Sequence, residues 1–245
     1  MLILGIDTST KNASTAVMDF DSNGGKVLCE MQAHSKVSHS ENLMPMVDYT
    51  LKCAGVLLND IDLFAVSQGP GSFTGIRIGI AAVKGLAFTG FDINNNENKN
   101  CAGISSLYSL AYNLYKSGES KSDILILPAI DARRKQIYNA IFQNLEYIKN
   151  DRIITISELE NELNSEFTDR KIAFIGDGAE MCYNEINFAG KVQVPEIIKK
   201  PSATSLCRIA HEEYKKGGAI HPRILAPSYL IKTQAEREYR QTNER

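Results

Sequence analysis

The 245-residue sequence has no cluster of cysteines and no excess of positive charge. Its five cysteines are widely spaced, odd in number and never arranged as C-x-x-C. This usage is typical of free thiols in a reducing cytosol and excludes a zinc site built from paired thiolates. The formal net charge is −2 at pH 7, so the chain alone is not expected to hold nucleic acid electrostatically.

The sequence also lacks the hydrophobic segments that target or anchor a protein. Residues 1–7 carry no basic region and too short an apolar run for a signal peptide. The most apolar later stretch, about residues 73–90, contains Arg77 and Lys84, which argues against a membrane span. We therefore expect a cytoplasmic protein with no membrane contact. The length allows one large domain or two lobes of roughly 100–150 residues each.

Two segments of the chain share a short pattern. Leu4–Lys11 and Pro128–Lys135 each predict a strand, an aspartate, a turn and a lysine, and each is followed by a second strand. The aspartates, Asp7 and Asp131, lie about half the chain apart. Duplicated lobes would explain the match, and chance is the alternative for so short a similarity.

The residues after position 38 predict a helix. Ser38 to Glu41 fits a capping box. Apolar residues then recur at helical spacing, at Leu43, Val47 and Leu51. Pro45 is expected either to kink this helix or to mark its first turn.

A second helix is predicted to follow Gly69–Gly75 and to run to about Thr89. One apolar stripe consists of Ile76, Ile80, Val83 and Ala87, and another of Ile78, Ala82 and Leu86. A helix with two apolar faces is either central to a core or shared with a partner.

Three turns could carry chemistry. The first turn, formed by Asp7, Thr8, Ser9 and Thr10, could present N–H groups and hydroxyls to a phosphate, with Asp7 directed at a metal ion or water. The alternative is that Asp7 caps its own turn. Gly69–Gly75 could be an anion-accepting helix start, but it lacks the Lys-Ser/Thr ending of a Walker A loop, and tight helix packing is the favoured interpretation. The tripeptide Gly176, Asp177 and Gly178 either cradles an adenosine or only turns the chain.

Several segments together resemble a known family. They are Ile6–Thr10, His39–Glu41 with Leu43 and Pro45, Gly69–Gly79, Lys84–Ala87, Ile104–Leu107, Ile130–Arg133 and Pro227–Leu230. In order and spacing they are similar to the TsaB (YeaZ) family of the glycoprotease-like superfamily, over nearly the whole chain. The GPGSFTG-x-R-x-G segment is the most specific part of the match.

The resemblance implies a two-lobed α/β fold of the actin-like, Hsp70-like ATPase type, with duplicated ribonuclease H-like lobes. We expect a partner-binding N-terminal lobe at 1–103, a second lobe at 104–225, and a tail at 226–245 that packs back on the first lobe. The implied function is that of a non-catalytic subunit in bacterial tRNA threonylcarbamoyladenosine synthesis.

The resemblance also implies partners. They are the catalytic paralogue TsaD in a heterodimer, the ATPase TsaE in a ternary complex, a second copy of this chain when it is alone, and tRNA only through the complex. The expected interface comprises His39, Glu41, Leu43, Val47, Leu51, Thr74, Ile76, Arg77, Ile80 and Val83.

The sequence departs from the catalytic relatives at one important position. They carry an H-x-x-x-H pair, whose two histidines can share a metal ion because residues four apart are neighbours on a helix. Here His39 is followed four residues later by Leu43. We therefore predict no metal site and no catalysis by this chain. We also expect no tightly bound cofactor and at most weak ATP or ADP binding at the subunit interface, with Arg133 and Arg134 filling the second phosphate loop.

Two smaller departures concern segments outside these motifs. The Asn-rich tract at 94–100 resembles a loop insertion, and Ile231 stands where relatives often have arginine.

Two enzymatic functions are the alternatives. A metallopeptidase needs about three protein ligands and an acid–base group, which four scattered histidines without H-E-x-x-H do not supply. No G-x-S-x-G elbow is present, although a serine or cysteine triad stays open. A small-molecule kinase of the same fold would use Asp7 as a metal-associated or basic residue, and the chain is short for such kinases.

Overall fold

The computed structural model describes residues 1–34, 38–89, 99–118 and 123–230. The strands are β1 (Leu2–Asp7), β2 (Asn12–Asp21), β3 (Gly24–His34), β4 (Leu63–Gly69), β5 (Asn100–Ser105), β6 (Ile124–Arg133), β7 (Gln136–Gln143), β8 (Glu146–Thr155), β9 (Lys171–Ile175) and β10 (Lys191–Val192). The helices are α1 (His39–Ala54), α2 (Phe73–Thr89), α3 (Ser106–Lys116), α4 (Ile156–Glu166), α5 (Ala179–Glu185) and α6 (Ala203–Lys215). Within these residues, no helix is long and apolar enough to cross a membrane.

The two halves of the chain form sheets of the same topology. The first sheet has the strand order β3-β2-β1-β4-β5. The second sheet, with its strands counted from β8, has the order β8-β7-β6-β9-β10. In each, the first strand pairs antiparallel with the second and parallel with the fourth. Asp7 and Asp131 thus lie near the ends of the equivalent central strands β1 and β6. The short sequence match between the halves therefore reflects two lobes of the same design.

The helix that follows each sheet crosses to the other sheet. Leu107 and Leu110 of α3 are buried with residues of β6 and β7, whereas Leu206 and Ile209 of α6 are buried with residues of β1 and β2. The apolar face of each helix is therefore covered by the sheet of the other lobe. A division at residue 103 would cut β5, which runs to Ser105, and it would leave α6 packed on the first lobe.

Helices α1 and α2 cover the opposite face of the first sheet. The α1 helix begins at His39 and includes Pro45 in its interior, so Pro45 does not mark the first turn. The predicted capping box is wrong, because the Ser38 hydroxyl lies 2.6 Å from the Ser40 hydroxyl and accepts no hydrogen bond from a backbone N–H of α1. A capping box forms instead at the start of α4, between Thr155 and Glu158.

The C-terminal segment returns to the first lobe. The backbone of Ile220 exchanges two 2.8 Å hydrogen bonds with Cys101 of β5. The Ser228 N–H donates to the Gln68 carbonyl at 2.7 Å. The Asn-rich residues 94–98 and the remainder of the predicted tail, 231–245 including Ile231, lie outside the described residues.

Candidate functional site

A cleft of about 510 Å³ lies between the lobes. The first lobe contributes Ser9 and Thr10 of the β1–β2 turn, together with the starts of α1 and α2. The second lobe contributes Asp131, Arg133 and Asp177. The cleft thus collects residues from both predicted phosphate turns.

The first of these turns is closed upon itself. Asp7 is buried, and its Oδ1 accepts hydrogen bonds from the Ser9 N–H at 2.9 Å and the Ser9 hydroxyl at 2.7 Å. Burial raises the pKa of Asp7, and the two bonds from Ser9 oppose the rise. Asp7 therefore caps its own turn, which is the alternative that the sequence left open, and it does not line the cleft.

The glycine-rich segment packs directly onto this turn. The Thr8 hydroxyl donates to the Gly75 carbonyl at 2.8 Å, and the Ser72 N–H donates to the Ser9 carbonyl at 2.7 Å. A Cβ at Gly71 or Gly75 would overlap the carbonyl oxygens of Ser9 and Thr8. The glycines thus allow the start of α2 to touch the β1–β2 turn, as the packing interpretation expected.

The second turn has an unusual backbone. Arg133, Arg134 and Lys135 have φ angles of 67°, 52° and 59°, so three residues with side chains occupy the left-handed region. Asp131 Oδ1 accepts from the Arg133 N–H at 2.7 Å, which holds the turn. Arg133 lines the cleft, whereas Arg134 is exposed to solvent and does not line it. The two arginines therefore do not jointly fill this loop.

The Gly176–Gly178 turn packs against the end of β6. The Gly178 N–H donates to the Ala129 carbonyl at 3.0 Å, and a Cβ at Gly176 would overlap that same oxygen. Asp177 Oδ1 accepts from the Asp131 N–H at 3.1 Å. Burial raises the pKa of Asp177, and the bond from Asp131 opposes the rise. The glycines turn the chain, and only Asp177 of the three faces the cleft.

The part of the first turn formed by Asp7, Thr8 and Ser9 does not fit the nucleotide that an ATPase fold implies. A phosphate would need unoccupied N–H groups there. The Thr8 N–H already points to the Ser67 hydroxyl at 3.4 Å, and the Ser9 N–H donates to Asp7. Asp7 and Thr8 are also fully buried. The N–H groups of Thr8 and Ser9 are therefore not available to a phosphate.

His39 is held by the same turn. Its Nε2 lies 2.7 Å from the Thr10 carbonyl oxygen, which can only accept, so Nε2 carries the proton. Leu43, one helical turn later, is buried in the core. Among the described residues, no three His, Cys, Asp or Glu side chains are grouped so that they could hold a metal ion.

Half of the predicted partner interface belongs to the core of the first lobe. The residues concerned are Leu43, Val47, Ile76, Ile80 and Val83, all of which are buried against the sheet. This corrects their assignment to a partner contact: these stripes are the inward faces of α1 and α2. Leu51 is half-buried against the same core, and His39 is half-buried. Glu41, Thr74 and Arg77 are exposed.

The outward side of the two helices carries a different apolar set. We call it the outer face; its members are Met44, Tyr49, Phe73, Ala81, Gly85 and Phe88, all of which are exposed. Tyr49 is 58% exposed and Met44 47%. Sequence reasoning missed this face, although Phe73, Arg77, Ala81, Gly85 and Phe88 follow helical spacing opposite the buried stripe.

Comparison with known proteins gives one consistent family. Residues 27–239 match the model of a family described as TsaD, tRNA N6-adenosine threonylcarbamoyltransferase. The tRNA threonylcarbamoyladenosine biosynthesis protein TsaB of Escherichia coli is 29% identical over 94% of both chains. The protein of the same name from Bacillus subtilis is 29% identical over 98% of both.

One solved structure shows the fold. A Pseudomonas aeruginosa protein described as similar to peptidase YeaZ superposes with a TM-score of 0.76, at 24% identity, over 94% of this chain and 99% of its own. With the duplicated sheets, this likeness confirms the predicted two-lobed actin-like fold.

Proposed function

Because the chain belongs to the family described as TsaD, tRNA N6-adenosine threonylcarbamoyltransferase, and within it to the TsaB (YeaZ) glycoprotease-like group, we propose that it acts in tRNA threonylcarbamoyladenosine synthesis. Its role in this proposal is that of a non-catalytic subunit, which binds and activates a catalytic paralogue of the TsaD type. The proposal includes TsaE in a ternary complex and contact with tRNA only through that complex.

The contacts at the start of α1 support the proposed non-catalytic role. The His39 ring is occupied by the Thr10 carbonyl, and the position of a second histidine is taken by buried Leu43. A metal ion could bind only the other ring nitrogen, Nδ1, and would lack a second histidine one helical turn later. The closed turn around Asp7 weakens the kinase alternative in the same way, because Asp7 does not reach the cleft. Nucleotide binding to this chain alone is proposed to be weak.

The outer face of α1 and α2 supports the binding part of the proposal. Exposed aromatic and methionine side chains on adjacent helices are typical of protein interfaces. Ala81 and Gly85 lie between Phe73 and Phe88 and leave room for a neighbouring helix to approach closely. We propose that the same face forms a homodimer when the paralogue is absent, since an apolar surface can pair with its own copy.

The pathway is tested by depleting the protein from its host and measuring threonylcarbamoyladenosine in bulk tRNA by nucleoside mass spectrometry. We expect the modified nucleoside to disappear and the wild-type chain to restore it. His39→Gln should also restore it, because the glutamine amide can donate to Thr10 but cannot replace a catalytic metal ligand. Unchanged nucleoside levels after thorough depletion would overturn the pathway. Failure of a folded His39→Gln variant that still captures the purified paralogue would overturn the non-catalytic role.

The partner surface is tested with a matched pair of variants. Gly85→Arg places a bulky cation in open space on the outer face, where no described atom lies within 4 Å of an added Cβ. Asn161→Arg places the same side chain on the exposed side of α4 in the other lobe. We expect Gly85→Arg alone to abolish capture of the purified TsaD-type paralogue and to shift any homodimer to monomer in size-exclusion chromatography. Equal binding by both variants would exclude the outer face.

A further inference from the structure

Arg77 lies against two aromatic rings at the start of α2, and the centroids of these rings are 5.2 Å apart. Its guanidinium carbon lies 3.7 Å from the centroid of the Phe73 ring and 5.5 Å from that of Tyr229. Its Nε donates a 2.6 Å hydrogen bond to the Tyr229 hydroxyl. An exposed arginine is usually free to sample many rotamers, and these contacts fix the plane of this one.

Tyr229 is itself fixed by the returning C-terminal segment. The preceding residue, Ser228, donates its N–H to the Gln68 carbonyl, and its own carbonyl oxygen occupies the space that a Cβ of Gly69 would need. Earlier in the segment, Lys84 donates to the carbonyl oxygens of Arg223 and Leu225 at 3.2 and 3.0 Å. Tyr229 is thus tied to the first lobe although it is 152 residues from Arg77.

The charge on α2 is unbalanced. The helix contains Arg77 and Lys84 and no acidic residue. Lys84 is occupied by carbonyl oxygens, whereas no ion pair of Arg77 occurs among the described residues. Because the Nε of Arg77 already donates to the Tyr229 hydroxyl, the N–H groups of its two terminal nitrogens remain for another acceptor. A fixed guanidinium of this kind suits a carboxylate, which it can bind through two parallel hydrogen bonds.

We propose that Arg77 is the docking point for an aspartate or glutamate side chain of the protein partner, and that Tyr229 and Phe73 are its positioning residues. The inference rests on the proposed function, because the partner is the TsaD-type paralogue and Arg77 borders the outer face. It adds a charged, oriented contact at the end of the outer face and gives the C-terminal segment a role in recognition.

The test measures the affinity of the purified paralogue for wild-type and variant chains by isothermal titration calorimetry at low and high salt. Arg77→Gln should weaken binding about tenfold or more, and Arg77→Lys should not restore it, because an ammonium lacks the planar fork. Tyr229→Phe, which removes only the hydroxyl, should weaken binding about threefold. Arg170→Gln in the second lobe removes the same charge and should bind as wild type.

The outcomes separate this inference from the proposed function. If wild-type chain does not bind the paralogue, both fail together. If wild type binds and folded Arg77→Gln binds equally well, the docking point is wrong and the partnership stands. If Arg77→Gln weakens binding but leaves its salt dependence unchanged, the partner group is not a carboxylate, because a charge pair on a surface is screened by salt. Normal binding by Tyr229→Phe would remove its positioning role.

Discussion

The Thr8 hydroxyl donates a 2.8 Å hydrogen bond to the carbonyl oxygen of Gly75. This bond joins the β1–β2 turn to the first turn of α2, at the place where an ATPase of this fold would admit a phosphate. The same contact that closes the turn also fixes α2, whose outward side is the proposed partner surface. The proposed weakness of nucleotide binding and the fixed position of α2 thus have a common structural cause.

The first prediction concerns Gly75 itself. Gly75→Ala should destabilise the protein by about 1–3 kcal/mol, because its Cβ would overlap the Thr8 carbonyl oxygen. Gly85→Ala, on the same helix in open space, should be neutral or stabilising by up to about 1 kcal/mol. The free energy of unfolding of each variant is measured by urea unfolding, followed by circular dichroism. Equal free energies of unfolding for the two variants would show that α2 does not press on the turn.

The second prediction concerns the buried carboxyl of Asp7. Burial raises its pKa in the folded protein above the ordinary value near 3.8. Between these two pKa values the folded state binds the additional proton, so Asp7 lowers stability as pH rises through that window. Asp7→Asn keeps an oxygen acceptor for Ser9 and does not titrate. The variant should therefore gain stability relative to wild type from about pH 4 upward.

Urea unfolding of both proteins at several pH values between 3.5 and 7, chosen from the ordinary carboxyl pKa, measures this difference. Because the other carboxyl groups are common to both proteins, they cancel in the comparison. A difference that does not change with pH would mean that Asp7 has an ordinary pKa in the folded chain.

The third prediction compares two helix starts with the same sequence pattern. Thr155→Ala should cost about 1 kcal/mol, because the Thr155 hydroxyl accepts the Glu158 N–H at 3.2 Å and completes a capping box. Ser38→Ala should cost clearly less, because the Ser38 hydroxyl caps no backbone N–H. The loss of stability of each variant relative to wild type is measured by thermal unfolding. A larger loss for Ser38→Ala would show that its hydroxyl caps α1 in solution.

The sequence predicted the repeated strand–aspartate–turn but not every element around it. The strand β8 was missed because the tight turn before it contains Asn144 and Leu145, both with positive φ, and leucine at such a position gives no hairpin signal. The exchange of α3 and α6 was not predictable either. Periodicity shows that a helix has an apolar face, but it does not show which sheet covers that face.

The partner surface shows the same limit. Ile76, Ile80 and Val83 form a clear stripe, and the resemblance placed partner contacts on their helix. Hydrophobic spacing alone cannot distinguish a stripe that faces the core from one that faces a partner. The contact between Arg77 and Tyr229 was beyond sequence reasoning, since it depends on how the C-terminal segment returns to α2.

The last prediction concerns the five free thiols, of which Cys53 alone is exposed. Burial raises the pKa of Cys101 and Cys182 to about 12, and it also raises the pKa of Cys29 and Cys207. Because the thiolate is the reactive form, brief treatment of the folded chain with iodoacetamide should label Cys53 first. Peptide mass spectrometry identifies the site. Cys53→Ser should stay unlabelled over the same time, and all five should react in denaturant. Rapid labelling of Cys182 or Cys207 in the folded chain would contradict their burial, and with it the packing of α5 and α6.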